Sequence, residues 1–143
     1  LVDTSLAGAG EVEASGMERR LRFGATVIDH ALARGYRVGL AVHGADGPRW
    51  LAPDSGRGQR RELLYALAMA APRERAGLAD LVAGLPRRNL RDAIVLAAVG
   101  PGVVDGEMDA LRSTCRSVRM LRRGELERVF DDAPAPGERE AAA

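Results

Sequence analysis

The sequence predicts an α/β domain: a mostly parallel central sheet with a hairpin edge and helices on both faces. Three observations predict it. Strand-like and helix-like stretches alternate along the 143 residues in the order strand, helix, strand, strand, helix, helix, strand, helix, strand. Such alternation favours parallel pairing through right-handed crossovers. The run Ala93-Ile94-Val95-Leu96-Ala97-Ala98-Val99 is apolar without a break, as in a strand covered on both sides. Gly44-Ala45-Asp46-Gly47-Pro48 is turn chemistry between two short strand-like runs, which makes a hairpin.

Leu1 and Val2 read as the end of a buried strand cut short, opening onto the loop that starts at Asp3. Ala7 to Gly16 is small and glycine-rich, hence a loop. A helix is expected from Ser15 to Arg34. Ser15 and Glu18 have capping-box spacing, Met17, Leu21, Ala25, Ile28 and Leu32 form an apolar stripe, and Gly35 is a stop. Tyr36 to His43 is a strand in which Gly39 and Ala41 leave room for a closely packed helix, and Arg49 to Ala52 completes the hairpin. Pro53 to Gly58 is a loop. Gln59 to Ala70 is a helix with Leu63, Leu64, Leu67 and Ala68 inward. After a break at Ala71 to Gly77, the residues Leu78, Leu81, Val82 and Leu85 mark a short helix, and Pro86 to Arg91 is a connector. The apolar strand ends at the turn Gly100-Pro101-Gly102. A helix follows from Asp105 to Arg116, then a strand from Ser117 to Leu121 and a helical turn or two from Glu125 to Phe130. The domain is thus expected over residues 1–130. The Pro, Gly, Glu and Ala composition from Asp131 onward reads as a disordered tail over 131–143.

Composition narrows the function classes. The length suits one domain with one core, built from Leu, Val, Ala and Ile because only five residues are aromatic. The formal net charge of +1 provides no global field for nucleic acid or membrane. Every basic residue is Arg, which excludes P-loop and Schiff-base chemistry, since both need a Lys. The single Cys115 has no intramolecular disulfide partner and joins no zinc-type cluster. No apolar run in residues 1–143 is long enough to span a bilayer, and these residues show no signal-peptide pattern.

Several segments together carry a resemblance. They are Arg34-Gly35-Tyr36-Arg37-Val38-Gly39-Leu40-Ala41-Val42, then Trp50-Leu51-Ala52-Pro53, then Gly56-Arg57-Gly58-Gln59, and finally Leu63-Leu64-Tyr65-Ala66-Leu67-Ala68. In this order and spacing the chain, from about Leu1 to Leu121, resembles a von Willebrand factor A-like domain. The particular family is the bacterial one called domain of unknown function 58. The resemblance implies a Rossmann-type three-layer fold with five or six strands and a hairpin edge, here truncated in strand one. It also implies a protein-binding role, often beside a MoxR-type AAA+ ATPase. Members often carry a membrane anchor ahead of the domain. A cytoplasmic location, with membrane association through an upstream segment, follows as an expectation.

The resemblance also implies where a site would lie. Its metal-ion-dependent adhesion motif, Asp-x-Ser-x-Ser after strand one, reads here Asp3-Thr4-Ser5-Leu6-Ala7, with Ala in place of the second Ser. The loop Ala71 to Gly77 lacks the expected Thr, and Gly100-Pro101-Gly102 stands where an Asp is expected, with no carboxylate until Asp105. Magnesium is the cation such a site takes, and about six oxygen ligands are needed. Asp3 and Ser5 alone are a remnant. No bound metal is expected, and the two residues are expected to hydrogen-bond loop amides or cap the following helix.

Other motifs carry less. Gly8-Ala9-Gly10 is not a dinucleotide fingerprint, because Glu13 holds the third glycine position. Gly100-Pro101-Gly102 reads as a turn and not a phosphate cradle, since Pro101 has no N–H. His43 is expected to be a hydrogen-bonded loop histidine, His30 partly buried and Cys115 a small core residue. Asp54-Ser55-Gly56 is not a hydrolase elbow. The arginine groups Arg57/Arg60/Arg61, Arg87/Arg88/Arg91 and Arg119/Arg122/Arg123 read as solvated faces and not as a nucleic-acid interface. The sequence therefore leads to a non-enzymatic protein-interaction module with a degenerate adhesion site. The alternatives are a magnesium-dependent binding domain using Asp3 and Ser5, or an unrecognised small α/β enzyme.

Overall fold

The computed structural model describes residues 1–6, 11–74, 77–103 and 105–131. It is a mixed α/β structure. Its helices are α1 (Glu11–Ala33), α2 (Gly56–Ala68), α3 (Leu78–Ala83), α4 (Asp109–Arg112) and α5 (Arg123–Asp131). Its strands are β1 (Val38–Gly44), β2 (Gly47–Asp54), β3 (Ile94–Ala98) and β4 (Ser117–Leu121), with 3-10 turns at Arg87–Asn89 and Asp105–Met108.

β1 and β2 form an antiparallel hairpin across the two-residue turn Ala45-Asp46. β3 and β4 form a parallel pair. The N-terminal segment joins them: Val2 bridges Val42 and Ala98, both in parallel sense. Val2 N–H donates to Ala41 O at 3.0 Å, and Asp3 N–H donates to Ala98 O at 2.9 Å. The lateral order is therefore β2, β1, N-terminal segment, β3, β4. Only the hairpin edge runs against the rest.

The pleat sorts side chains onto two layers. Val2, Leu40 and Val42 pack with Ile28 of α1 and Leu63 and Leu67 of α2. Leu126 of α5 joins Ala98, Leu121 and Phe23 in a smaller cluster. Against the opposite layer, Ala41, Val95, Ala97 and Val99 pack with Leu78 and Leu81 of α3 and with Met108 and Leu111. Among the described residues no helix is long and apolar enough to cross a membrane.

Several boundaries differ from the sequence expectation. α1 begins at Glu11, so Ser15 is an exposed residue inside the helix and not its cap. Glu13 in the first turn suits the positive end of the helix dipole, and Gly16 weakens the helix without ending it. α2 begins at Gly56, inside the expected loop, and β2 extends to Asp54. Gly39 makes room for the hairpin and not for a helix: a Cβ there would lie 2.7 Å from Leu51 O, where the register shifts between Val38 and Leu40. The helix expected from Asp105 to Arg116 is a 3-10 turn followed by the single turn α4. Ser113 and Thr114 hydroxyls donate to Ala110 O, the local bonding that competes with helix propagation. Ile94, expected to be covered, is 66% exposed at the start of β3. His30 is exposed instead of partly buried. The expected loop Ala7 to Gly10 and the expected tail from residue 132 lie outside the described residues; Asp131 itself closes α5.

Candidate functional site

The carboxyl ends of β1, β3 and the N-terminal segment meet at Asp3. Its side chain is fully buried, as is that of Thr4. The fold consumes both carboxylate oxygens. Oδ1 accepts from Ser5 N–H at 2.9 Å, while Oδ2 accepts from Ser5 Oγ at 2.7 Å and from Gly100 N–H at 2.8 Å. The first two close a local Asx-type turn, and the third ties the N-terminal segment to the end of β3. Gly100 is required by close approach: a Cβ there would lie 2.9 Å from Asp3 Oδ2 and 3.0 Å from Ser5 Oγ. The Gly100-Pro101-Gly102 turn thus spends its first amide on a side chain of its own chain.

Arg20 of α1 completes the arrangement. Although ionised, it is only 3% exposed. Its Nε donates to Asp3 O at 2.7 Å and its Nη2 to Ser5 O at 2.8 Å. Burial lowers the Arg20 pKa from its ordinary value, while the charges of Asp3 and Glu13 oppose that shift. The pair Asp3 and Arg20 therefore balance charge inside the fold.

The neighbouring strand end is closed by backbone bonds. Thr4 Oγ1 donates to Ala71 O at 2.7 Å, Leu6 N–H to Arg73 O and Arg73 N–H to Thr4 O. Arg73 also donates through Nη2 to Gly44 O. The segment after α2 is thus zipped to residues 4–6 by backbone bonds.

His43 is the penultimate residue of β1 and only 1% exposed. Neither ring nitrogen has a hydrogen-bond partner among the described residues, which corrects the expected hydrogen-bonded loop histidine. Burial and then the Arg73 charge push its pKa below the ordinary value, against the pull of Asp3 and Asp80. A buried neutral imidazole with no nucleophile bonded to it is no general-base arrangement. Cys115 is partly buried against the core, and burial raises its thiol pKa.

A metal ion fits these residues poorly. Among the described residues no three His, Cys, Asp or Glu side chains form a group able to hold one. A cation at Asp3 would have to displace the Ser5 hydroxyl or the Gly100 amide. Guanidinium Nε and Nη2 already hold the nearby carbonyls that would serve as further oxygen ligands.

The structure therefore brings Asp3 and Ser5 together, sets the Gly100 turn beside them, and adds one residue that the sequence did not single out, Arg20. No sequence pattern singled out Arg20: the apolar stripe runs through Met17, Leu21 and Ala25, and only the structure shows residues 20, 24 and 28 buried along one line of α1. A charged residue on that line needs a built partner.

Beside this network lies a cavity of about 200 Å³. Arg19 and Arg20 of α1, Gly100 and Pro101 after β3, and Arg122 and Arg123 at the start of α5 line it, with Glu13 as the acidic wall residue. Glu127 pairs with both Arg19 and Arg123 at 2.8 Å.

No family model matches the chain, and no curated protein or solved structure is significantly similar to it.

Proposed function

We propose that the chain is a von Willebrand factor A-like, non-enzymatic protein-interaction module whose adhesion-type site works without metal. The observation that carries this reading is the use of the Asp3 carboxylate: three donors from its own chain take it up. The lateral strand order, with an antiparallel hairpin at one edge, supports the family part of the reading. In it the motif loop, the Arg73 loop and the Gly100 turn form one rim, and that rim is the partner-facing surface. A MoxR-type AAA+ ATPase is the partner class that the resemblance implies.

Thermal unfolding in chelator and in millimolar magnesium tests the metal-independent part. The two melting temperatures are expected to coincide. A rise with magnesium that Asp3→Asn removes would instead favour a magnesium-dependent binding domain built on Asp3 and Ser5.

A further inference from the structure

We infer that the arginine-lined cavity beside Asp3 is a binding pocket for a carboxylate carried on a short apolar stem, such as an acidic side chain. Arg20 carries the argument. Two of its three guanidinium nitrogens are committed to Asp3 O and Ser5 O, which fixes the group in place. The third, Nη1, makes no hydrogen bond to a described residue and stands 3.7 Å from the position a Cβ on Gly16 would take. Gly16 and Arg20 both line the cavity. A buried guanidinium whose remaining nitrogen lies beside Gly16, the one α1 lining residue without a side chain, is preorganised for an anion.

Size and wall chemistry choose the anion. A cavity of about 200 Å³ is too small for a nucleotide or a coenzyme. Val99, Pro101 and Leu126 supply apolar wall, which suits methylene groups better than a fully hydrated phosphate. Glu13 sets a limit on affinity, since its charge faces the same space.

The pocket stands on its own residues; only the source of the carboxylate, a partner protein, rests on the interaction-module reading. Amide and arginine Nε NMR shifts of the full chain, recorded at low salt, test both. The probes are a capped glutamyl tripeptide, its glutaminyl counterpart, succinate and inorganic phosphate. The glutamyl peptide is expected to shift Gly16, Arg20 and Gly100 saturably, and the glutaminyl peptide is not. Gly16→Ala leaves the pocket open and keeps the response. Gly16→Glu places a carboxylate of the chain itself beside Nη1 and weakens binding about tenfold or more. Glu13→Gln strengthens it.

Succinate binding more tightly than the peptide would keep the carboxylate pocket and overturn the protein source. Equal responses to glutamyl and glutaminyl peptides would overturn the pocket itself. So would preference for phosphate, or unchanged binding in a folded Gly16→Glu variant. None of these outcomes depends on magnesium, so failure here is separable from failure of the metal-independent reading.

Discussion

Asp3 is the residue on which the most structure converges. Its carboxylate receives two backbone amides and one hydroxyl, and its carbonyl receives Arg20. Asp3→Asn turns an acceptor oxygen into a donor facing the Ser5 hydroxyl and the Gly100 amide, and leaves Arg20 with less opposing charge. The expected loss is about 3 kcal/mol in urea unfolding, with an unchanged denaturant slope. Gly100→Ala drives a methyl to within 2.9 Å of Oδ2 and is expected to cost about 2 kcal/mol. Because both break one network, the double variant should lose less than the sum; strict additivity would mean that the two act separately. His43 makes a pH prediction. Its folded pKa lies below the ordinary value, so the unfolded chain binds the proton more readily. The neutral imidazole's stability is fully present above the unfolded pKa of about 6.5 and is lost as pH falls below it. His43→Phe should flatten that loss in denaturation series on both sides of the midpoint. At this scale the sequence placed Asp3 and Ser5 in one loop with bonds to loop amides expected; Asp3 takes the Ser5 amide, whereas the Ser5 hydroxyl bonds Asp3 itself. The sequence hid the Gly100 bond to Asp3 across 97 positions, since no local pattern encodes that approach.

At the scale of elements, α1 holds the site together. It spans 23 residues, packs along α2 and carries Arg20 to the strand ends. Two of its glycines make opposite predictions for one substitution. Gly16→Ala meets only ordinary contact with Arg20 and should stabilise by about 0.5–1 kcal/mol through helix propensity. Gly24→Ala would put a methyl 2.9 Å from Val2 Cγ2, pushing the helix off the central segment, and should destabilise by about 1–2 kcal/mol despite the same propensity gain. Urea unfolding of both variants checks the sign; a shared sign would contradict the close approach of α1 to Val2. Long periodic elements were legible: the stripe from Met17 to Leu32 located α1, and Ser117 to Leu121 coincides with β4. Their ends were less so. Ser15 has the chemistry of a cap, yet Arg20 anchors a helix that continues past it. The helix expected from Asp105 stopped short, where side-chain hydroxyls take the carbonyl of Ala110.

In the whole molecule, the N-terminal segment joins the two strand pairs, with Val2 bridging Val42 on one side and Ala98 on the other. That junction sets Asp3 at the rim, and the chain then neutralises its charge from within. Alternation of strand and helix makes the α/β class readable in the sequence, because each apolar pattern must find a layer to cover it. The state of the rim was not readable that way. Sequence showed only which ligand types stand near Asp3 in the chain, whereas the structure shows Gly100 donating to its carboxylate and Arg20 to its carbonyl. The metal-independent account is tested most directly by the melting temperature of the wild-type chain in chelator and in millimolar magnesium. It predicts the same midpoint in both. A magnesium-dependent rise of several degrees, abolished in a still-folded Asp3→Asn variant, would contradict it.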